Sequence, residues 1–163
     1  TIDATIGYGA ASTTTIAGKL TVTGGLIAKN TNSSSYGNII KLLPTDFIPN
    51  EDGGTSKGVF MDDTAPTGLK PGIADMELVA ITDIPEGFKA THVDIYAAQD
   101  LTIEAFEMNV NASGLTSKGS GTSNTTLDIT DVNATATNYL AIIVTTTATS
   151  NRVWGGGVTI AAQ

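Results

Sequence analysis

The chain contains no cysteine, which excludes disulfide staples, thiolate metal sites and cysteine nucleophiles together. Its stability must come from packing or assembly. Histidine occurs once, at His92, and tryptophan once, at Trp154. A lone histidine with no thiol and no Gly-x-Ser-x-Gly turn has no nucleophile to activate. His92 therefore reads as structural or surface, and the chain as a non-enzyme. Charge is scarce as well: 15% of residues are Asp, Glu, Lys or Arg, against about 25% in ordinary soluble domains. What charge there is leans acidic, with 8 Lys and Arg against 16 Asp and Glu and a net charge of -8. A phosphate backbone or an anionic membrane would be repelled, so no nucleic-acid partner is expected. No apolar run approaches the ~18 residues that cross a bilayer, and no basic-then-apolar leader opens the sequence. A soluble protein without membrane insertion is expected. The first residue is Thr rather than Met, which leaves a processed product or a fragment as the expectation.

What is present is β-forming. At 163 residues and 40% hydrophobic, the chain is large enough for one main domain with a real core. The densest apolar stretch is Asn138–Thr147, whose Tyr139, Ile142, Ile143, Val144 and three threonines are β-branched or aromatic. Such residues lose rotamer freedom in a helix but fit a pleated surface. Because they are apolar on successive positions, the run reads as a central strand covered on both faces. Leu140, Ile142 and Val144 fall on one side, and Tyr139, Ala141 and Ile143 on the other. The strands Thr125–Val132 or Arg152–Ala161 are its expected neighbours, and a second subunit is the expected cover for its second face.

Residues 1–36 are small and polar. Ile16, Gly18, Leu20, Val22, Gly24 and Leu26 occupy even positions with Lys19, Thr21 and Thr23 between them, which is strand alternation with one narrow apolar face. Ile2, Ala4, Ile6 and Tyr8 repeat the pattern more weakly. One strand cannot bury such a face alone. It either adds to the sheet of the following domain or packs on other copies, and glycines on its apolar side suit close chain approach. The assembly residues of this arm are Ile2, Ile6, Tyr8, Ile16, Leu20, Val22 and Leu26. The polar link Asn30–Gly37 then leads into a second region, 37–163.

In that region the pattern predicts eight strands: Asn38–Leu43, Lys57–Asp62, Met76–Thr82, Ala90–Ala97, Leu101–Val110, Thr125–Val132, Asn138–Thr147 and Arg152–Ala161. Eight short strands without a helical period point to an all-β antiparallel sandwich or jelly roll. Leu101 and Ile103 are apolar on odd positions, whereas Phe106, Met108 and Val110 are apolar on even ones. Such a phase change predicts a β-bulge near Glu104–Phe106. Ser117–Asn124 reads as an exposed loop, as does most of Leu43–Lys70 outside its one strand.

Few groups suggest chemistry. Asp46, Glu51, Asp52, Asp62 and Asp63 have calcium-type ligands but no EF-hand spacing, and the same holds for Asp128 with Asp131. A solvated acidic face and no cofactor are expected, Ca2+ being the one candidate ion. Gly155–Gly157 lacks the Lys-Ser/Thr of a phosphate loop and reads as a bulge or a close approach of backbones. Tyr36, Tyr96 and Trp154 are the candidate surface-binding aromatics, with Tyr139 beside them. Sequons at Asn32, Asn111, Asn124 and Asn133 matter only where the host glycosylates.

The stretch Thr15-Ile-Ala-Gly-Lys-Leu-Thr-Val-Thr-Gly-Gly resembles the Thr- and Gly-rich strand units of tail-fibre and related virion proteins of tailed bacteriophages. Lys41-Leu-Leu-Pro-Thr-Asp-Phe-Ile-Pro-Asn, Lys89-Ala-Thr-His-Val-Asp-Ile-Tyr, Leu127-Asp-Ile-Thr-Asp-Val and Thr137-Asn-Tyr-Leu-Ala-Ile resemble compact β domains in virion structural proteins from phages of marine bacteria. The resemblance implies a viral structural protein: a trimeric tail fibre or a capsid-decoration knob, located on the virion and extracellular. Its partners would be itself, other virion proteins and a host-surface glycan. Two alternatives fit the same residues, a carbohydrate-binding β-sandwich and a prokaryotic surface-filament subunit that donates its arm as a strand.

Overall fold

The computed structural model describes residues 38–50, 58–62 and 67–163. The arm, with Ile2, Ile6, Tyr8, Ile16, Leu20, Val22, Leu26 and Tyr36, and the boundary at 36/37 lie outside the described residues. Within them the chain forms two antiparallel sheets packed as a sandwich. The strands are β1 (Ile39–Leu42), β2 (Ile48–Pro49), β3 (Val59–Met61), β4 (Leu69–Pro71), β5 (Glu77–Thr82), β6 (Phe88–Ala97), β7 (Thr102–Asn109), β8 (Ala112–Thr122), β9 (Leu127–Asn133), β10 (Asn138–Thr145) and β11 (Val153–Ala162). The first sheet has the order β3-β4-β11-β6-β9, with β1 also paired to β11; the second has the order β2-β5-β10-β7-β8.

All eight expected strands are present, and three more accompany them. Two of these, β2 and β4, are short pieces within the segment read as loop, which also holds a 3-10 turn at Pro44–Asp46. The third is the larger correction. Ser117–Asn124 is not a loop: residues up to Thr122 belong to β8, the edge strand of the second sheet. Its inward positions are Gly119 and Gly121, and a Cβ there would lie 3.4 Å from Ile129 Cγ2 and 3.2 Å from Leu127 Cδ1 respectively. Side chains of β9 fill the space that β8 leaves, so β8 carries no apolar alternation of its own.

The central strand also has different neighbours from those expected. β10 pairs with β5 from Leu140↔Thr82 to Thr145↔Glu77 and with β7 from Asn138↔Asn109 to Thr145↔Thr102. Thr125–Val132 and Arg152–Ala161 contribute to the opposite sheet, which no local pattern distinguishes. Leu140, Ile142 and Val144 are fully buried and face the core with Leu78, Ala80, Ile103 and Ala105. Val93, Ile95, Val153, Val158 and Ile160 meet them from the first sheet. Burying a side chain of this size contributes about 1.5–3 kcal/mol.

The bulge expected in β7 lies across from it. β7 runs against β10 without a break, and the shift opposite Ala105/Phe106 leaves Lys118 of β8 as the extra residue. Ile103 and Ala105 stay in the core. The change of apolar phase records a change of face, from the core to the outside of the sheet.

Backbone proximity explains the glycines of β11. A Cβ on Gly156 would sit 2.1 Å from the Asp94 carbonyl oxygen, and Gly155 adopts φ +120° with its Cβ position 2.5 Å from the Leu42 carbonyl oxygen. The strand is thus gripped between β6 and β1, as the close-approach reading of Gly155–Gly157 requires. The turns are closed by polar side chains. Ser123 Oγ accepts from Leu101 N at 2.9 Å, and Asn151 Oδ1 accepts from the backbone N–H groups of Thr147 and Ala148 at 2.7 and 2.9 Å.

Candidate functional site: the outer face of the second sheet

Residues opposite each other in an antiparallel pair point to the same side, so the strand register defines what the second sheet shows to the outside. One row is Tyr139, Met108 and Leu115. The next is Ile81, Ala141 and Phe106, and the third is Ile48, Val79 and Ile143, ending at Glu104. Ile48, Ile81 and Leu115 are each more than half exposed. None of the described strands lies over these rows. Monomeric domains rarely expose a contiguous apolar patch of more than a few hundred Å² unless something binds there.

The face is relieved at its centre. Ala141 is 1% exposed, flanked across the sheet by Ile81 and Phe106 and along β10 by Tyr139 and Ile143, so the surface dips at this one residue. At its Tyr139 end the face borders a groove of about 810 Å³ between the segments 81–86 and 134–139, with Val110 at its side. Ile81 and Tyr139 belong to both. The acidic Asp83 and Glu86 line this groove, and neither forms an ion pair with a basic residue among the described residues.

A polar cluster fixes this end of the sandwich. Lys118 Nζ lies 2.7 Å from Glu107 Oε2, and Asn138 Nδ2 donates to Glu107 Oε1 at 2.7 Å. Asn138 also donates to the Asn133 carbonyl and accepts from Thr135 N–H, both at 2.8 Å. The turn between β9 and β10 is thereby tied to β7 and β8. The Lys118 hydrogen bond first, then that of Asn138, holds the Glu107 carboxyl below the usual range, against the opposing effect of burial.

The other candidate residues sit elsewhere. Tyr96 and Trp154 are on adjacent strands of the first sheet, 53% and 48% exposed. Trp154 is the extra residue of a bulge between the pairs Val153↔Ala97 and Gly155↔Tyr96, and a Cβ on Gly68 would lie 2.9 Å from its Cδ1. The bulge aims the indole outward. Tyr139 is on the other sheet, so the structure does not gather these three aromatics. His92 is on the first sheet, with Nδ1 2.9 Å from Thr91 Oγ1 and Nε2 3.6 Å from Asp128 Oδ1. Asp46 accepts from Leu43 N–H at 2.7 Å, and Asp62 pairs with Arg152. Glu51, Asp52 and Asp63 lie outside the described residues. Among the described residues no three acidic or histidine side chains group to hold a metal, and no helix is long and apolar enough to cross a membrane.

Sequence reading placed Tyr139, Ala141 and Ile143 on this face but missed Ile48, Ile81, Phe106, Met108 and Leu115. The even-numbered apolar phase of Phe106 and Met108 was the one available signal. Compared with known proteins, the chain matches no family model and no curated protein sequence.

Proposed function

We propose that this protein is a non-enzymatic structural component that assembles with copies of itself, as in a trimeric fibre or a capsid-decorating knob on a virus particle. The observation that carries the assembly part is the outer face of the second sheet, where three apolar rows lack cover from the described chain. Covering such a face with a second copy removes apolar surface from water at about 25 cal/mol per Å², and closed symmetry is the usual outcome for a self-associating soluble chain. The virion setting and the trimer rest on the resemblance of the Thr- and Gly-rich stretch and the β domain to phage structural proteins. An exposed particle protein of this kind also suits a host-surface glycan as partner, since many weak identical sites gain by multivalency.

Light scattering of the full chain across a concentration series tests the reading. A defined oligomer, trimer on this proposal, is the expected mass, and a monomer unchanged at high concentration would refute it. Replacing Ile143, on the outer face, with Lys should lower the mass while leaving the β-sheet circular dichroism intact.

A second reading, carbohydrate binding, is favoured by one observation, the half-exposed pair Trp154 and Tyr96 on neighbouring strands. Because Trp154 is the sole tryptophan, its fluorescence reports directly on that surface. Unchanged emission with a panel of neutral and acidic oligosaccharides at millimolar concentration would remove this reading.

A further inference from the structure

We propose that the outer face of the first sheet binds an acidic glycan whose charged sugars are spaced by neutral ones, with Phe60, Trp154 and Tyr96 holding sugar rings and Lys70 selecting the charge. The inference rests on the carbohydrate-binding reading and names the class of sugar.

The aromatics come first. Val153 pairs with Leu69 and with Ala97, and all three are buried, so the adjacent residues Lys70 of β4 and Tyr96 of β6 point outward. Phe60 pairs with Lys70 and shares its side. Trp154 is turned out by its bulge. Phe60, Trp154 and Tyr96 are the exposed aromatic side chains among the described residues, and all three are on this face. Glycines sit under two of them. A Cβ on Gly68 would lie 2.9 Å from Trp154 Cδ1, and one on Gly72 would lie 3.2 Å from Phe60 Cε2. Both side chains therefore rest against bare backbone and turn their remaining surface to solvent. The electron-rich face of an aromatic ring attracts the polarised C–H groups on the apolar side of a sugar.

Charge narrows the class. β4 lies between β3 and β11, so Lys70 stands between Phe60 and Trp154, whose strands are two spacings, roughly 10 Å, apart. Lys70 forms no ion pair among the described residues, whereas Arg152 on the neighbouring strand pairs with Asp62. Further along the same face Lys41, Gly157 and Asp94 form one row, and Asp94 accepts from Thr126 Oγ1 at 2.6 Å. Lys41, Lys70 and Arg152 against Asp62 and Asp94 leave this region with one net positive charge in a chain of -8. A carboxylate or sulfate held between two stacked sugars complements Lys70.

The same charge count disfavours a nucleic acid. Its bases suit aromatic rings, but a phosphate at every nucleotide would set dense negative charge against an acidic chain with one cation to spare here. A glycan with an acid on alternate sugars does not meet that repulsion. Assembly through the second sheet leaves this face free, and repeated copies along one polysaccharide gain by multivalency.

Titration of the full chain with a hyaluronan hexasaccharide, in which uronic acids alternate with neutral sugars, and with neutral chitohexaose tests the proposal. Trp154 emission and calorimetry are the readouts. Hyaluronan should bind about tenfold more tightly than chitohexaose, the advantage of one charge-assisted contact, and added salt should erase the difference. K70M should bring the two sugars level, and F60A should weaken both, with circular dichroism confirming that each variant is folded. Equal binding of both sugars by wild type would leave carbohydrate binding standing and overturn this inference. So would an undiminished preference in K70M, or unchanged binding in F60A. Oligothymidylate or polyglutamate binding as tightly as hyaluronan would also overturn it, by assigning the face to nucleic acid or to charge alone. If neither sugar binds, the carbohydrate reading fails together with the inference.

Discussion

Lys118 and Glu107 meet at 2.7 Å on the rim of the sandwich, with the lysine side chain 13% and the glutamate side chain 24% exposed. The lysine is the extra residue of the β8 bulge opposite Ala105/Phe106. An irregularity in an edge strand therefore delivers the cation that balances a carboxylate on the inward-facing side of β7.

That pair has a pH signature. Glu107 is held below the ordinary carboxylate range by Lys118 and Asn138, so folding stabilises its charged form. Its contribution is full above the ordinary glutamate pKa and is lost as pH falls through the lowered value. K118M should lose about 1–3 kcal/mol at pH 7, measured by urea unfolding. The gap between wild type and variant should close as the pH is taken below the lowered Glu107 value; a gap independent of pH would assign the loss to packing.

Two adjacent residues of β10 should respond in opposite ways. I142A removes fully buried core volume and should cost about 2–5 kcal/mol in unfolding free energy. I143A, on the outer face, should cost well under half of that in the isolated chain, and its effect should appear in the concentration dependence of Tm instead. Equal losses at both positions, independent of concentration, would count against the outer face as an interface.

The glycines of β11 should be intolerant. At Gly156 a Cβ would fall 2.1 Å from the Asp94 carbonyl oxygen, so the β11–β6 ladder must move to accept G156A. Gly155 adds a positive φ, which costs an alanine about 1–3 kcal/mol. Thermal unfolding should show both variants clearly below wild type, whereas G114A, with nothing within 4 Å of its Cβ position, should match wild type.

Trp154 offers a check on which layer faces the partner. At 48% exposure its emission should be red-shifted and quenched by acrylamide. Because it lies on the first sheet, quenching should be the same at assembling and non-assembling concentrations. Protection on assembly would move the interface to the opposite layer.

By itself the sequence determined the fold class and the two sides of β10. β-branched alternation is local, and side chains in a strand must alternate, so Leu140, Ile142 and Val144 separate from Tyr139, Ala141 and Ile143 before any pairing is known. The absence of apolar alternation hid β8, since its core contacts are made by side chains of β9 over Gly119 and Gly121. Partner choice was also out of reach. That β10 lies between β5 and β7 rather than beside β9 or β11 depends on how the two sheets close, a non-local decision that one strand's pattern does not encode. For the same reason the outer face became visible only in three dimensions. Ile48, Ile81, Phe106 and Leu115 come from four different strands, each an unremarkable apolar residue in sequence, and only the register sets them side by side.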